Sequence, residues 1–271
     1  MKENNVFSLL YKCMEEREQK DISLLIEEYS DRAVSNHDIS FKTGIPGIGW
    51  LISFFHRNNI LVLDIEEVLH DIDDLTYKLA INQISLKEFN FKELLFLITY
   101  FQERVQNTHN NKFYRSFCLK ETLKLLVDKA NQVVLEDFLS PLEITYILLK
   151  YSYLSSLCLG EKEIEKVFYV KMEEILSLCK KLSTLSKDLV KCICILCIAS
   201  AQFGNQYWVR AFNKLFIQNA SGYFDDIKIL REIYYYIEEN NKNKISLSSF
   251  HFHNDNELLF LLSSNLKRVV F

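Results

Sequence analysis

The sequence predicts an all-α protein, and three observations support that prediction. The 271 residues include only two prolines and six glycines, whereas a β-sandwich or β-barrel needs turn residues about every 8 to 12 positions. Apolar residues recur at helical spacing in one segment after another. The breaks between segments are short and polar, which is typical of antiparallel helical hairpins. A train of hairpins is typical of solenoids and toroids. We therefore predict one α-helical domain over residues 1–271, an α/α toroid or an incomplete toroid.

The helices predicted in the first half begin at two different kinds of start. The glycine-rich segment from Gly44 to Trp50 opens one helix. Asp64 is placed to N-cap the next, and Glu67 three residues later completes a capping-box pattern. The apolar stripes of this half are Ile48, Leu51, Ile52 and Phe55; Ile65, Val68, Leu69, Ile72, Leu75 and Leu79; Phe91, Leu94, Leu95, Ile98, Phe101 and Val105; and Leu119, Leu123, Leu126 and Val127.

The clearest helix start lies in the second half, at Ser140-Pro141-Leu142-Glu143. Ser at the N-cap, Pro at N1 and Glu at N3 each satisfy or tolerate an orphan amide of the first turn. We expect this helix to reach about Cys158, and another to run from Ser186 to a break at Gly204-Asn205. The remaining stripes are Ile164, Phe168, Met172, Ile175, Cys179 and Leu182; Trp208, Ala211, Phe212, Leu215 and Phe216; and Ile227, Leu230, Ile233, Tyr234 and Ile237.

Charge and composition exclude several functional classes. The 32 basic and 36 acidic residues are mixed along the chain and give a net charge of −4, so the basic surface of a nucleic-acid-binding protein is not expected. The first twenty residues lack the pattern of a signal peptide. The most apolar stretch, 189–201, is far shorter than the roughly 20 residues of a membrane span. Seven cysteines without a secretory signal indicate reduced thiols, so we expect a cytoplasmic protein.

An acidic run is the first candidate site. It could indicate a metal site or a catalytic carboxylate pair, because Glu67, Asp71 and Asp74 would share one helix face beside His70. A solvated helix face is the alternative, and it accounts for the whole run, since acidic residues also favour a helix N-terminus. We expect the solvated face. The acidic residues are Asp64, Glu66, Glu67, Asp71, Asp73 and Asp74.

Cysteine and histidine clusters are the next candidates for metal sites. On a helix, Cys192 and Cys194 point about 200 degrees apart and cannot bind one ion, so we interpret them, with Cys197, as core residues. His251 and His253 would lie on one side only of an extended segment, and a polar surface connection is the simpler interpretation. The residues therefore predict no metal and no cofactor. None of the remaining histidines pairs with an obvious Ser or Cys nucleophile, so no catalytic triad is predicted.

The segment Gly44-Ile45-Pro46-Gly47-Ile48-Gly49-Trp50 is the most distinctive feature of the sequence. Backbone amides at a helix N-terminus attract phosphate. However, the spacing is G-x-x-G-x-G, and the Lys-Ser/Thr pair of a P-loop is missing. We interpret Gly44, Gly47, Gly49 and Trp50 as a structural motif in which the glycines let the first turn of a helix approach a neighbouring backbone closely.

The segment around this motif resembles the lanthionine synthetase C-like family. Members of that family carry a G-x-x-G-[IV]-G turn at the start of an inner helix of an α/α toroid, as at Gly44 to Gly49. The residues after the turn are similar to the same region in shorter, divergent members. They are Asn59-Ile60-Leu61, Asp64, Glu66 to Leu69 and Asp71-Ile72-Asp73. The resemblance covers residues 36–80. It implies a toroid fold and a role in the maturation of peptide natural products.

The same resemblance argues against the activity of the family. Its cyclases bind zinc through a Cys in a Trp-Cys-x-Gly context and a later Cys-His pair, and the zinc activates a peptide thiol. This chain has no Cys-His pair and no Trp-Cys, and its nearest counterpart is Cys158-Leu159-Gly160. We therefore expect a non-catalytic relative that binds a peptide or a partner enzyme. The alternatives are a zinc-dependent cyclase with rearranged ligands and an unrelated helical-hairpin interaction scaffold. The residues favour no particular oligomeric state.

Overall fold

The computed structural model describes residues 5–15, 19–86, 90–107, 113–136, 138–155 and 161–219. Of these residues 83% are helical, and none lies in a strand, which confirms the all-α prediction for this part of the chain. The helices are α1 (Val6–Glu15), α2 (Gln19–Ser35), α3 (Ile45–Arg57), α4 (Ile65–Val68), α5 (His70–Ser85), α6 (Phe91–Asn107), α7 (Phe113–Leu135), α8 (Pro141–Leu154), α9 (Glu161–Lys181), α10 (Lys187–Gln202) and α11 (Gln206–Asn219).

The described helices form two compact units, and the boundary between them falls within α7, after Leu126. The first unit holds α1 to α6 and the beginning of α7. The second holds the rest of α7 and α8 to α11. The single domain over residues 1–271 stays a prediction. The predicted stripe from Ile227 to Ile237 lies outside the described residues.

The first unit is built around α3 and α6. Every residue of α3 from Pro46 to Phe55 is buried, and so is every residue of α6 from Leu94 to Arg104. By contrast, α2 buries a single stripe, formed by Ile22, Ile26, Tyr29 and Ala33. A helix that is buried on all sides needs neighbours on all sides. Accordingly, α3 contacts α1, α2, α5 and α6, so it forms the centre of this unit.

The second unit repeats this arrangement. Helix α8 is buried from Ile144 to Leu154 and packs beside α10, which is buried from Cys192 to Ser200. Helices α9 and α11 contact each other, α9 packs on α8, and α11 packs on α10. Phe168 of α9 stacks on Phe203 at a centroid distance of 4.2 Å. Trp208 of α11 donates from Nε1 to Glu173 of α9 at 2.7 Å, so aromatic packing and a hydrogen bond join these helices.

Local signals place several helix ends where the sequence predicts them. The Ser140 hydroxyl and the Glu143 side chain form a reciprocal capping box at the start of α8. Ser186 caps α10 through the Leu189 amide. Gly204 ends α10 with a φ of +78°, and Asn205 donates its amide to the Ser200 carbonyl at 3.0 Å. This is the hydrogen bond of a Schellman C-cap, which favours glycine at the left-handed position.

The stripe from Ile65 to Leu79 does not form one helix. Asp64 is an N-cap as predicted, since it accepts from the amides of Glu66 and Glu67, but the helix that it caps ends at Val68. The chain turns at Leu69, and α5 begins at His70. The apolar spacing continues through the break because both helices face the same core, so the sequence pattern does not reveal it. No helix in the described ranges is both long enough and apolar enough to cross a membrane.

Candidate functional site

The loop between α2 and α3 is organised by the side chain of Asp38. One carboxylate oxygen accepts from the Ser40 amide at 2.9 Å, and the other accepts from the Thr43 hydroxyl at 2.6 Å. The Asp38 carbonyl accepts from the Ile45 amide at the start of α3. Burial tends to raise the pKa of Asp38, but the bonds from Thr43 and Ser40 outweigh it, and the net result is a lowered pKa. The loop is therefore fixed around a carboxylate that is ionised at neutral pH.

The glycines Gly44 and Gly47 lie against the backbone of this same loop. A Cβ atom built on Gly44 would lie 2.2 Å from the Asp38 carbonyl oxygen, and one on Gly47 would lie 1.8 Å from the Phe41 carbonyl oxygen. Neither distance is sterically possible, so only glycine allows the loop to fold back onto the first turn of α3. The close approach is thus to the preceding loop, not to a neighbouring helix.

The other two residues of the motif face the interior of the first unit. A Cβ on Gly49 would lie 2.5 Å from Ile72 of α5 and 3.2 Å from Tyr100 of α6, both side chains. Trp50 is 1% exposed and stacks on Phe54 at 5.7 Å. The glycine-rich segment therefore sets the distance of α3 from the loop on one side and from α5 and α6 on the other.

The loop shaped by these contacts forms one wall of a cleft with a volume of about 620 Å³. Loop residues 36–40 line this wall. The last turns of α5 contribute Leu79, Asn82 and Gln83, and the first turns of α6 contribute Glu93 and Leu97. The volume lies within the range of about 300 to 1,000 Å³ that is typical of ligand sites. The sequence analysis did not find this cleft, because its walls come from three separate segments.

The backbone is strained at one of the residues that line the cleft. His37 has a φ of +50°, in the left-handed region that costs a non-glycine residue roughly 1 kcal/mol. His37 lies just after the end of α2, at the same left-handed position that Gly204 has just after α10. As in α10, the amide of the next residue, Asp38, donates back to a carbonyl of the last turn, that of Ala33, at 2.9 Å. Strained residues of this kind cluster at functional sites, and His37 lines the cleft.

Two hydrogen-bond acceptors in the cleft lack partners among the described residues. The side-chain oxygen Oε1 of Gln83 is buried and accepts no hydrogen bond there. Glu93 is partly buried, and no ion pair or hydrogen bond to its carboxylate is present within the described ranges. Burial raises the pKa of Glu93, as expected for a carboxylate without a compensating charge. Both groups can accept a hydrogen bond from a ligand.

The prediction of a solvated acidic face is wrong for two of the six acidic residues. Glu66 and Asp73 are each 5% exposed. The guanidinium of Arg104, itself fully buried, donates to both Asp73 oxygens at 2.9 Å and to Glu66 at 3.3 Å. Tyr100 donates its hydroxyl to Asp73 at 2.6 Å. Buried carboxylates require such partners, and the sequence analysis did not identify them. Of the others, Asp64 caps α4, and Glu67, Asp71 and Asp74 are exposed.

Arg115 extends this buried charge cluster to the start of α7. Its guanidinium donates to Asp73 Oδ2 at 2.6 Å and to the carbonyls of Glu66 and Leu69 at 3.2 and 3.3 Å. The break at Leu69 therefore exposes backbone carbonyls that Arg115 satisfies. Two guanidinium groups balance the charge of two carboxylates, so the cluster holds α4, α5, α6 and α7 together.

The structure places the cysteine run in the core, and in the part of the chain that it describes it groups no metal ligands. Cys192, Cys194 and Cys197 are at most 4% exposed and line α10 within the second unit. Within the described ranges, no three His, Cys, Asp or Glu side chains are grouped so as to hold a metal ion. Cys158, His251 and His253 lie outside the described residues.

Comparisons of the chain with protein-family models, with curated protein sequences and with solved structures found no match. A functional assignment therefore depends on the chemistry of the cleft and on the residues around it.

Proposed function

We propose that the protein binds a peptide segment in the cleft between the α2–α3 loop, α5 and α6, and that it acts without catalysing a reaction. The observation that carries the proposal is the set of amide side chains on the cleft walls, Asn36, Asn82 and Gln83. A side-chain amide offers a donor and an acceptor, as a peptide group does. Amides from the loop and from α5 can thus bind the backbone of an extended peptide, and the buried Oε1 of Gln83 needs a donor of the kind that a peptide N–H provides.

We extend the proposal to kinship with the lanthionine synthetase C-like family. Two features support it. The glycine-rich segment begins α3, a helix buried on all sides. In both units, helices buried on all sides pack side by side, α3 with α6 and α8 with α10, while helices between them in sequence bury fewer faces. This alternation is expected of inner and outer helices in a toroid. An experimental structure of the whole chain tests it: a closed ring with Gly44 and Gly47 at an inner-helix start supports the kinship, and an open superhelix contradicts it.

The proposal assigns the protein to the cytoplasm and to the maturation of peptides. Six cysteines of the described chain are reduced, a state that a reducing compartment maintains. The non-catalytic part is tested by measuring zinc in the purified protein. We expect well below one zinc ion per chain. Stoichiometric zinc that disappears in Cys158→Ala would contradict the proposal and favour a cyclase with rearranged ligands.

Peptide binding is tested by fluorescence anisotropy with a labelled decapeptide of Gly, Ser, Ala and Leu that carries two lysines. We expect saturable binding, and competition by the same peptide without the label. The double variant Asn82→Ala, Gln83→Ala removes two amides of the cleft, whereas Gln132→Ala removes an exposed amide on α7. We expect about thirtyfold weaker binding for the double variant, because it loses two hydrogen bonds of about 1 kcal/mol each, and no change for Gln132→Ala. Equal binding by all three proteins would refute the proposed site.

A further inference from the structure

With His37 counted as neutral, the charges that line the cleft are all negative. Asp38 and Glu93 are its ionisable acids, and no lysine or arginine is among its lining residues. The Asp38 oxygens are already bonded to Ser40 and Thr43, so this carboxylate contributes its charge without needing a further partner. Glu93 lies on the wall formed by α6 and has neither a counter-charge nor a hydrogen-bond donor among the described residues. A cation that enters the cleft would therefore meet two carboxylates.

Glu93 and Gln83 supply complementary parts of a site for a cation that carries N–H groups. A partly buried carboxylate without a partner is costly, because burial removes water and nothing replaces it. The buried Oε1 of Gln83 is an acceptor that also lacks a donor. A donor with a positive charge satisfies both requirements at once, since charge-assisted hydrogen bonds are about twice as strong as neutral ones. A neutral ligand would satisfy Gln83 alone.

The apolar residues of the cleft match the rest of a basic side chain. Ile39 is 52% exposed on the loop wall, and Leu79 and Leu97 lie on the helical walls. Lysine and arginine side chains lay their methylene stems along apolar surface while the charged end reaches polar groups. The cleft offers both kinds of surface within one volume.

From these observations we infer that the cleft recognises a lysine or arginine side chain of the bound peptide, with Glu93 and Gln83 receiving its N–H groups. The inference rests on the proposed peptide-binding function and names its specificity. It predicts that peptides are selected by positive charge. Free amines have the same chemistry as a lysine side chain, and so has Lys87 of this chain, which lies between Gln83 and Glu93 in the sequence and outside the described residues.

Three labelled decapeptides test the inference by anisotropy. They share one Gly, Ser, Ala and Leu sequence and carry two lysines, two glutamates or two glutamines at the same positions. We expect the lysine peptide to bind about tenfold more tightly than the glutamine peptide, and the glutamate peptide to bind most weakly. Equal affinity for the lysine and glutamine peptides overturns the specificity and leaves peptide binding intact. Absence of binding by all three contradicts the proposed function itself.

Glu93→Gln is the decisive variant, and Glu27→Gln is its matched control. Glu27 is a solvent-exposed carboxylate of α2 in the same unit, away from the cleft. Because Glu93 is partly buried and has no partner to lose among the described residues, its variant should unfold at the same temperature as the parent or at a higher one. We expect Glu93→Gln to lower the affinity for the lysine peptide about tenfold and to change the affinity for the glutamine peptide less than twofold. An equal effect of Glu93→Gln and Glu27→Gln on the lysine peptide would refute the role of Glu93.

Two further measurements separate the possible sources of the cation. N-acetyl-lysine amide should compete with the lysine peptide only at concentrations at least a hundredfold higher, because it lacks the backbone contacts of a peptide. Competition at equal concentration would assign the cleft to small amines and overturn the peptide as ligand. Lys87→Ala should leave the affinity for the lysine peptide within twofold. A gain of fivefold or more would assign the cation to Lys87 and overturn an external one.

Discussion

Replacement of Gly47 by alanine tests the packing of the glycine-rich segment. The new Cβ would lie 1.8 Å from the Phe41 carbonyl oxygen and 2.9 Å from the carbonyl carbon. Separation to a permitted distance of about 3 Å requires the loop backbone to move by more than 1 Å relative to α3. Overpacking of a core costs about 1 to 3 kcal/mol, and the upper value applies because backbone atoms cannot rotate away. Alanine regains about 1 kcal/mol of helix propensity, so we expect a net loss of about 2 kcal/mol.

The assay is thermal unfolding followed by circular dichroism, together with urea denaturation. A loss of about 2 kcal/mol lowers Tm by about 4 to 8 °C in a chain of this size. Gly204→Ala is the comparison: no atom lies within 4 Å of its Cβ, so its cost of about 1 kcal/mol comes from its positive φ alone. Gly204→Asn should recover part of that loss of stability, whereas Gly47→Asn should be less stable than Gly47→Ala. Unchanged stability of Gly47→Ala, or recovery in Gly47→Asn, would contradict the close approach.

Three other predictions follow from the buried and ionisable groups. Asp73→Ala should lower the free energy of unfolding, measured by urea denaturation, by about 3 to 5 kcal/mol, because it leaves the buried Arg104 without its main partner. Asp71→Ala, at an exposed position of the same helix, should change the free energy of unfolding by less than about 0.5 kcal/mol. Burial raises the pKa of Glu93, so its charge is lost on acidification at a higher pH than that of an exposed glutamate. The test uses a His37→Asn background, which removes the histidine of the cleft, and Asp38 stays ionised because of its lowered pKa. In that background the affinity for the lysine peptide should fall as the pH drops through the pKa of Glu93. The affinity of the Glu93→Gln variant should not change over the same pH range, and a slope there would refute the assignment. Burial raises the pKa of Cys179 to about 11 and that of Cys192 to about 12, so iodoacetamide at pH 8 should leave both unmodified in the folded protein and alkylate both in urea; alkylation of either thiol under native conditions would contradict this packing.

Helix starts were predictable where the signal is local. Ser140 and Ser186 lie within three residues of the amides that they cap, so the sequence alone contains the whole interaction. The apolar stripes also located the core correctly, as with Leu51 and Phe55, which are fully buried. The end of α4 at Leu69 was not predictable in this way. Its carbonyl is satisfied by Arg115, 46 residues later in the chain, and no pattern near Leu69 points to that partner.

The buried acids were missed for the same physical reason. Asp73 is bonded to Arg104 and Arg115, which are 31 and 42 residues away. Helical periodicity does not separate the buried acids from the exposed ones, because the chain turns at Leu69, between Glu66 and Asp73.

The cleft is a tertiary feature whose walls come from three segments. Of its lining residues, the sequence analysis named only Leu79, as part of an apolar stripe, and covered residues 36–40 only within the resemblance over 36–80. The unpartnered state of Gln83 and Glu93 depends on the neighbours that α5 and α6 acquire in the folded unit, and no spacing rule predicts it. What the glycines do predict is the fixed position of the loop that carries Asp38, because their missing side chains allow the loop to close on α3.

Hydrogen–deuterium exchange with and without the lysine decapeptide tests the central claim most directly, since it reports where on the chain the peptide binds. We predict slower exchange in the α2–α3 loop, the last turns of α5 and the first turns of α6, and no change in α8 to α11. Glu93→Gln should remove this protection at the same peptide concentration. Protection confined to α8 to α11, or protection of the cleft that Glu93→Gln leaves intact, would contradict binding of a basic peptide in this cleft.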